Sequence, residues 1–226
     1  MSGVPEVGAV LFDMDGVLLD SERPSLALLH ARLRAHGVEV DDHELRSVCG
    51  RPRAYLRGLL APRLRDVGVE TDAFVADYDA RKEIALRAGE IRPFPAAVPL
   101  LGGLRARGWR LALATSTERP RMAARLANTG ILELFDAVVT GDEVAAGKPA
   151  PDIFLLAAAR VGVHPDRCWV VEDSVAGVEA GRAGGMRVAA VAGTFGAGAL
   201  AAADRVFGDL AELAAAVDVW GEPAGT

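Results

Sequence analysis

Five short apolar runs, alternating with helical patterns, constrain this chain more than any other feature of it. Val7 to Phe12 is β-branched and apolar and ends abruptly at Asp13; Trp109 to Ala114, Ala137 to Thr140, Cys168 to Val171 and Arg187 to Ala192 share its character. Runs that are apolar throughout, rather than at alternate positions, are the pattern of strands buried on both faces. Between them, Ala96 to Arg107, Pro120 to Thr129, Asp152 to Val161 and Ala176 to Ala183 space their apolar residues three and four apart, as amphipathic helices do. Strand alternating with helix predicts an α/β fold, a parallel sheet covered on both faces.

One stretch breaks the alternation. From about Glu22 to Glu90 there is no buried-strand pattern, only helical spacing among many arginines: Leu26 to His36, Asp42 to Val48 and Asp72 to Arg87. A length of 226 residues leaves room for such an insert beside one main domain. The expected organisation is a core of residues 1–20 and 91–226 with an inserted α-helical cap at 21–90. Linker punctuation near Asp20 and from Gly89 to Pro95 suggests two hinges.

Composition narrows the function. With 51% hydrophobic and 25% charged residues, disordered, collagen-like and disulfide-scaffold classes are excluded. A net charge of −6 argues against a nucleic-acid partner, since neutralising phosphates takes an excess of Lys and Arg. No uncharged stretch is long and glycine-free enough for a membrane span, and MSGVPEVGAV has no basic segment followed by an apolar one. Cys49 and Cys168 form no CxxC pair. A cytoplasmic protein with a small-molecule partner is expected, as a monomer or weak homodimer.

Asp13-Met14-Asp15-Gly16 stands where the first strand stops, at the carboxyl end where open parallel sheets bind ligands. Two carboxylates one residue apart can hold a hard divalent cation while one attacks as a nucleophile, although Asp and Gly also serve plain turns. Thr115-Ser116, Lys148-Pro149 and Glu172-Asp173 follow other strands and face the same edge. Thr115 alone reads equally as a helix cap. Lys148 is more telling, because it and Lys82 are the only lysines in an arginine-rich chain. A lysine ammonium can follow a moving phosphoryl group where a guanidinium fork demands fixed geometry. Burying Glu172 and Asp173 beside Asp13 and Asp15 without a counter-ion would cost several kcal/mol, which a metal resolves. Oxygen ligands suit Mg²⁺, and His30, His36, His43 and His164 form no transition-metal set.

DMDGV at 13 to 17, LALATS at 111 to 116, GKPAPDIF at 147 to 154 and VVEDSVAGVEAG at 170 to 181 resemble the signature motifs of the haloacid dehalogenase-like hydrolase superfamily. The placement of the insert resembles the helical cap of the group that contains β-phosphoglucomutase and phosphoglycolate phosphatase. The resemblance implies a Rossmann-like core and an Mg²⁺-dependent phosphatase of a small phosphorylated metabolite, working through an aspartyl-phosphate. Asp13 would be the nucleophile and Asp15 the general acid and then base. Thr115 and Lys148 would hold the phosphoryl oxygens, with Ser116 as a further substrate contact. Asp13, Asp173 and the Asp15 backbone carbonyl would ligate Mg²⁺, with Glu172 taking part directly or through metal-bound water. Asp15 as an acid requires a raised pKa, expected from exclusion of water when the cap closes.

Competing activities separate on single residues. The resemblance sets dehalogenation aside because halide-displacing members lack the second aspartate. A phosphonate-cleaving relative would place a Schiff-base lysine early in the cap, whereas Lys82 lies late in it. A phosphosugar mutase remains the alternative, but its cap histidine is replaced by Ser25, with His30 more than a turn away. Arg53 aligns with a mutase arginine that meets a distal phosphate; it reads equally as part of the basic face made by Arg46, Arg51, Arg57, Arg63 and Arg65. A non-catalytic binding module would have no need of Asp15 and Lys148 at these positions.

Overall fold

The computed structural model of the protein describes residues 8–49, 51, 53–85, 92–193, 195–216 and 220. In chain order the elements are β1 (Ala9–Phe12), the helices α1 (Glu22–Ala35), α2 (Asp42–Arg46), α3 (Arg53–Asp66), α4 (Thr71–Ala85) and α5 (Ala97–Ala106), then β2 (Arg110–Thr115), α6 (Arg119–Leu126), β3 (Ala137–Thr140), α7 (Asp152–Val161), β4 (Cys168–Glu172), α8 (Val175–Ala183), β5 (Arg187–Val191), β6 (Arg205–Phe207) and α9 (Leu210–Ala215). The strands form one parallel sheet in the order β3-β2-β1-β4-β5-β6. This is the doubly wound order whose direction of growth reverses beside β1, and the crevice at that reversal is where such sheets take ligands.

Apolar runs become central strands because both faces are covered. Val10 and Phe12 of β1 pack with Leu101 of α5 and Met122 of α6, while Ala9 and Leu11 pack toward Phe154 and Ala157 of α7. Complete burial of each large apolar side chain contributes roughly 1.5–3 kcal/mol. The helical insertion between β1 and β2 has a core of its own, in which Leu29 and Leu33 of α1 meet Leu56, Leu60 and Leu64 of α3 and Val75 of α4.

Helix α3 departs from the sequence reading, which placed the arginines at 51–65 on a solvated face without a helix of their own. Leucines at 56, 60 and 64 make a buried stripe, and the arginines occupy the remaining faces. The edge strand β6 and helix α9 were also not expected, being only three and six residues long. Val7, Gly50, Pro52, Arg87, Gly89 and the expected boundary at 90/91 lie outside the described residues.

The chain's two crossings between sheet and insertion run side by side. Leu19 bridges Pro93 in antiparallel fashion, Phe94 N–H donates to Leu18 O at 2.9 Å, and Asp20 N–H donates to Arg92 O at 3.3 Å. Among the described residues, no helix is long and apolar enough to cross a membrane.

Candidate active site

Register brings the motifs together. Phe12 pairs with Leu113 on β2 and Val171 on β4, so the next residue, Asp13, lies level with Ala114 and Glu172, and its N–H extends the ladder to Val171 O at 3.0 Å. Thr115 and Thr140 end β2 and β3 in register on the same edge. The chain then turns sharply at Gly16, whose φ of 85° favours glycine; a Cβ there would also overlap the Asp173 carboxylate. Asp173 is thereby seated against the Asp13–Gly16 turn.

Lys148 sits at the centre, only 1% exposed. Its ammonium donates to Asp13 Oδ1 at 2.5 Å, to Glu172 Oε1 at 2.6 Å and to the carbonyl of Ala114 at 3.3 Å. Burial alone would lower its pKa, yet Asp13 and then Glu172 hold it above the ordinary lysine value. Glu172 spends its other oxygen on the N–H groups of Asp173 and Ser174 and the Ser174 hydroxyl, each at 2.9 Å, at the start of α8. Glycine is required at 177 because a Cβ there would stand where the Glu172 carboxylate lies.

Asp13 is buried, and burial pushes its carboxyl up to about 8; Lys148 opposes the rise, while Glu172 and Asp15 add to it. Among the described residues, no three Asp, Glu, His or Cys side chains converge into a ready metal cluster. The donor set still fits a hard cation, since Asp13 and Asp173 flank the Gly16 turn, and Mg²⁺ commonly takes one or two carboxylates and completes its shell with water and substrate oxygens. Burial raises the Asp13 carboxyl, and a cation bound beside it would favour its charged form.

Asp15 behaves differently from the expected acid. Its carboxylate accepts from Ser21 Oγ at 2.5 Å, Thr117 Oγ1 at 2.8 Å and Arg125 Nη1 at 3.0 and 2.9 Å. Burial raises its pKa, but Arg125, then Lys82 and the two hydroxyls outweigh it and hold the group below the usual carboxylate range. The expectation of a raised value is therefore corrected: the enclosure that excludes water also brings in two cations.

A cavity of about 160 Å³ opens between sheet edge and insertion, lined from the core by Asp13, Thr115 and Ser116 and from the cap by Ser25, Arg53 and Lys82. The Ser116 carbonyl lies against Gly141, where an added Cβ would strike it. Thr115 Oγ1 accepts from Thr117 N–H at 3.1 Å. Arg53 lies in an ion pair with Asp79 at 2.6 Å, its guanidinium 5.6 Å from the Tyr78 ring centroid. All the expected site residues thus gather at one sheet edge or on the cavity wall above it.

The family model for haloacid dehalogenase-like hydrolases matches residues 7–185. The chain belongs to this family. It is accordingly a hydrolase, and its relatives include phosphatases of phosphomonoesters. Validoxylamine A 7'-phosphate phosphatase of Streptomyces hygroscopicus subsp. limoneus is 34% identical over 208 residues, covering 90% of this chain and 94% of that protein. Fructose-1-phosphate phosphatase YqaB of Escherichia coli is 33% identical over 178 residues, covering 78% and 92%. Protein SUPPRESSOR OF QUENCHING 1 of Arabidopsis thaliana is 37% identical over 194 residues, but this chain spans only 18% of its length. Among solved structures, a haloacid dehalogenase family hydrolase from Deinococcus radiodurans R1 with bound phosphate and sodium superposes with a TM-score of 0.76 at 31% identity, covering 99% and 100% of the two chains. A β-phosphoglucomutase-like protein from Thermotoga maritima gives 0.72 at 28% identity, covering 93% and 98%.

Four contributors to this family site carried no distinguishing mark in the sequence. Ser21 and Thr117 are ordinary hydroxyl residues near motifs, and Arg125 and Glu83 stand among many charges. Lys82 had one signal, its rarity, and it proves 8% exposed on the cavity wall.

Proposed function

We propose that this hydrolase is an Mg²⁺-dependent phosphatase of a small phosphorylated sugar or similar phosphomonoester, acting through a phosphoryl group held on Asp13. The observation that supports this best is Lys148, buried between Asp13 and Glu172 at the meeting point of three strand ends. Asp13 attacks phosphorus as the ester oxygen departs, and Lys148 with Thr115 neutralises and orients the phosphoryl oxygens. Asp13, Asp173 and the Asp15 carbonyl would hold Mg²⁺, which when bound supplies positive charge to those same oxygens. Asp15 then serves both half-reactions, giving a proton to the leaving alkoxide and taking one from the incoming water. Arg125 and Lys82 favour its ionised form, which the second step needs; an arriving phosphate dianion pushes it toward the protonated form needed in the first.

Hydrolysis is favoured over phosphoryl transfer between sugars by Ser25. Its hydroxyl donates to the Ser21 carbonyl at 2.5 Å, and among the described residues no imidazole lines the cavity. The sugar assignment draws on the names of the relatives and on a cavity wall that sets Ser25, Glu22 and Lys82 beside Leu26, Val48 and Tyr78. The test is phosphate release from a panel of sugar phosphates, phosphoglycolate and p-nitrophenyl phosphate, with Mg²⁺ and with EDTA, assaying glucose 6-phosphate formed from β-glucose 1-phosphate in parallel. Metal-dependent phosphate release, lost in Asp13→Asn, is the expected result. Isomerisation without phosphate release would make the protein a mutase, and silence on every ester would end the phosphatase reading.

A further inference from the structure

Arg125 lies in none of the motifs, yet its side chain is 5% exposed and its two terminal nitrogens point to different parts of the molecule. Nη1 donates to both oxygens of Asp15 and lies 3.2 Å from Thr117 Oγ1; Nη2 donates to Glu83 Oε1 at 2.9 Å on the cap helix α4. Arg121, one turn earlier on the core helix α6, reaches the same Glu83 at 3.8 Å. Among the described residues the buried Nε of Arg125 has no acceptor, and an unpaired buried donor destabilises a fold. A fold tolerates such a cost when the position of the group is dictated by its other contacts.

We propose that Arg125 is a positioning residue that ties the orientation of the Asp15 carboxylate to the seating of the cap, through Glu83. The planar guanidinium holds its two acceptors at a fixed angle, which a single ammonium could not do. A shift of α4 that draws Glu83 away rotates the fork and withdraws Nη1 from Asp15, so the proton-transferring group is aligned when the cap is down over the substrate. The proposal rests on the reading of Asp15 as the group that protonates the leaving alkoxide.

The experiment compares two substrates of one enzyme. An alkyl phosphate ester requires a proton on its leaving oxygen, whereas 4-nitrophenolate leaves readily without one. Asp15→Asn, Arg125→Met, Glu83→Ala and the Arg125→Met/Glu83→Ala double variant are assayed on fructose 1-phosphate and p-nitrophenyl phosphate, with circular dichroism to verify folding. The ratio of kcat/KM on p-nitrophenyl phosphate to kcat/KM on the sugar phosphate, which reports only the steps up to formation of the phosphoryl-Asp13, is expected to rise at least tenfold in Arg125→Met and several-fold in Glu83→Ala. The double variant should match Arg125→Met, because both changes cut one connection. An unchanged ratio, or a double variant whose loss is the product of the two single losses, would overturn the proposal. If Arg125→Met does not fold, the ratio in Glu83→Ala decides alone. A ratio raised in Asp15→Asn but not in Arg125→Met sinks only the role of Arg125; a ratio unchanged in Asp15→Asn sinks the reading of Asp15 and this proposal with it.

Discussion

Replacing Gly177 with alanine should destabilise the protein, although the general preference of helices runs the other way. Alanine in place of glycine within a helix gains up to about 1 kcal/mol. At 177, however, the added methyl would stand where the Glu172 carboxylate lies. Displacing that group breaks bonds to Asp173 N–H, Ser174 N–H and Ser174 Oγ at 2.9 Å and to Lys148 at 2.6 Å. Hydrogen bonds to a charged group contribute about 1.5–3 kcal/mol each, so losing even two of these four outweighs the helix gain and leaves a net loss of about 2–5 kcal/mol. For a chain of this size that lowers Tm by roughly 10 °C. Turnover should fall by at least about tenfold, since misplacing a catalytic group by an ångström can cost on the order of 10². Gly103→Ala in α5 is the control, because nothing lies within 4 Å of its added Cβ and its Tm should hold or rise. Thermal melts and kcat on the best ester read both. A Gly177→Ala variant that behaves like Gly103→Ala would refute the seating of Glu172 against α8 as the support of Lys148.

Asp13→Asn should remove turnover by at least about 10³-fold with its circular dichroism spectrum unchanged, because the nucleophile is lost at constant volume; residual activity near the parent's would exclude the covalent step. Lys148→Ala, measured as kcat on protein verified to be folded, should lose about 10²–10³-fold, the usual effect of deleting a group that stabilises transition-state charge. Glu143 tests pH dependence away from the site. The Arg160 guanidinium first, then bonds from Thr140 and Arg119, hold its carboxyl down to about 2. Its folded pKa is depressed, so its contribution to stability is present above its unfolded value and lost as pH falls toward 2. Because the group is partly exposed and its arginine partners lie at the surface, Glu143→Gln should lower stability at pH 7 by no more than about 1 kcal/mol, and the difference should nearly vanish in urea melts at pH 2.

The sheet was legible because each central strand is a pure apolar run, and the site because its residues sit at the ends of those runs. Asp13, Thr115, Lys148, Glu172 and Asp173 needed no contact information, since a parallel sheet delivers the ends of its strands to one edge. Helix α3 was not legible as a helix because its stripe of three leucines is diluted by arginines and interrupted by Pro62. The lowered pKa of Asp15 is not legible in the sequence for a different reason. Burial follows from position in the fold, but the cations that reverse its effect come from Arg125, 110 residues away, and from Lys82 on the insertion. No spacing rule connects those positions; only the packing of cap on core brings them together.

The paired crossings at Leu19 and Pro93 make the insertion separable from the sheet. Because the chain leaves and re-enters the sheet at neighbouring, hydrogen-bonded points, the core's path would close across that gap with the whole insertion excised. A cap of different length or helix number can therefore be grafted at the same two positions without moving β1 or β2. Asp13 and Lys148 would keep their places at the sheet edge while the helices above them are exchanged as a cassette.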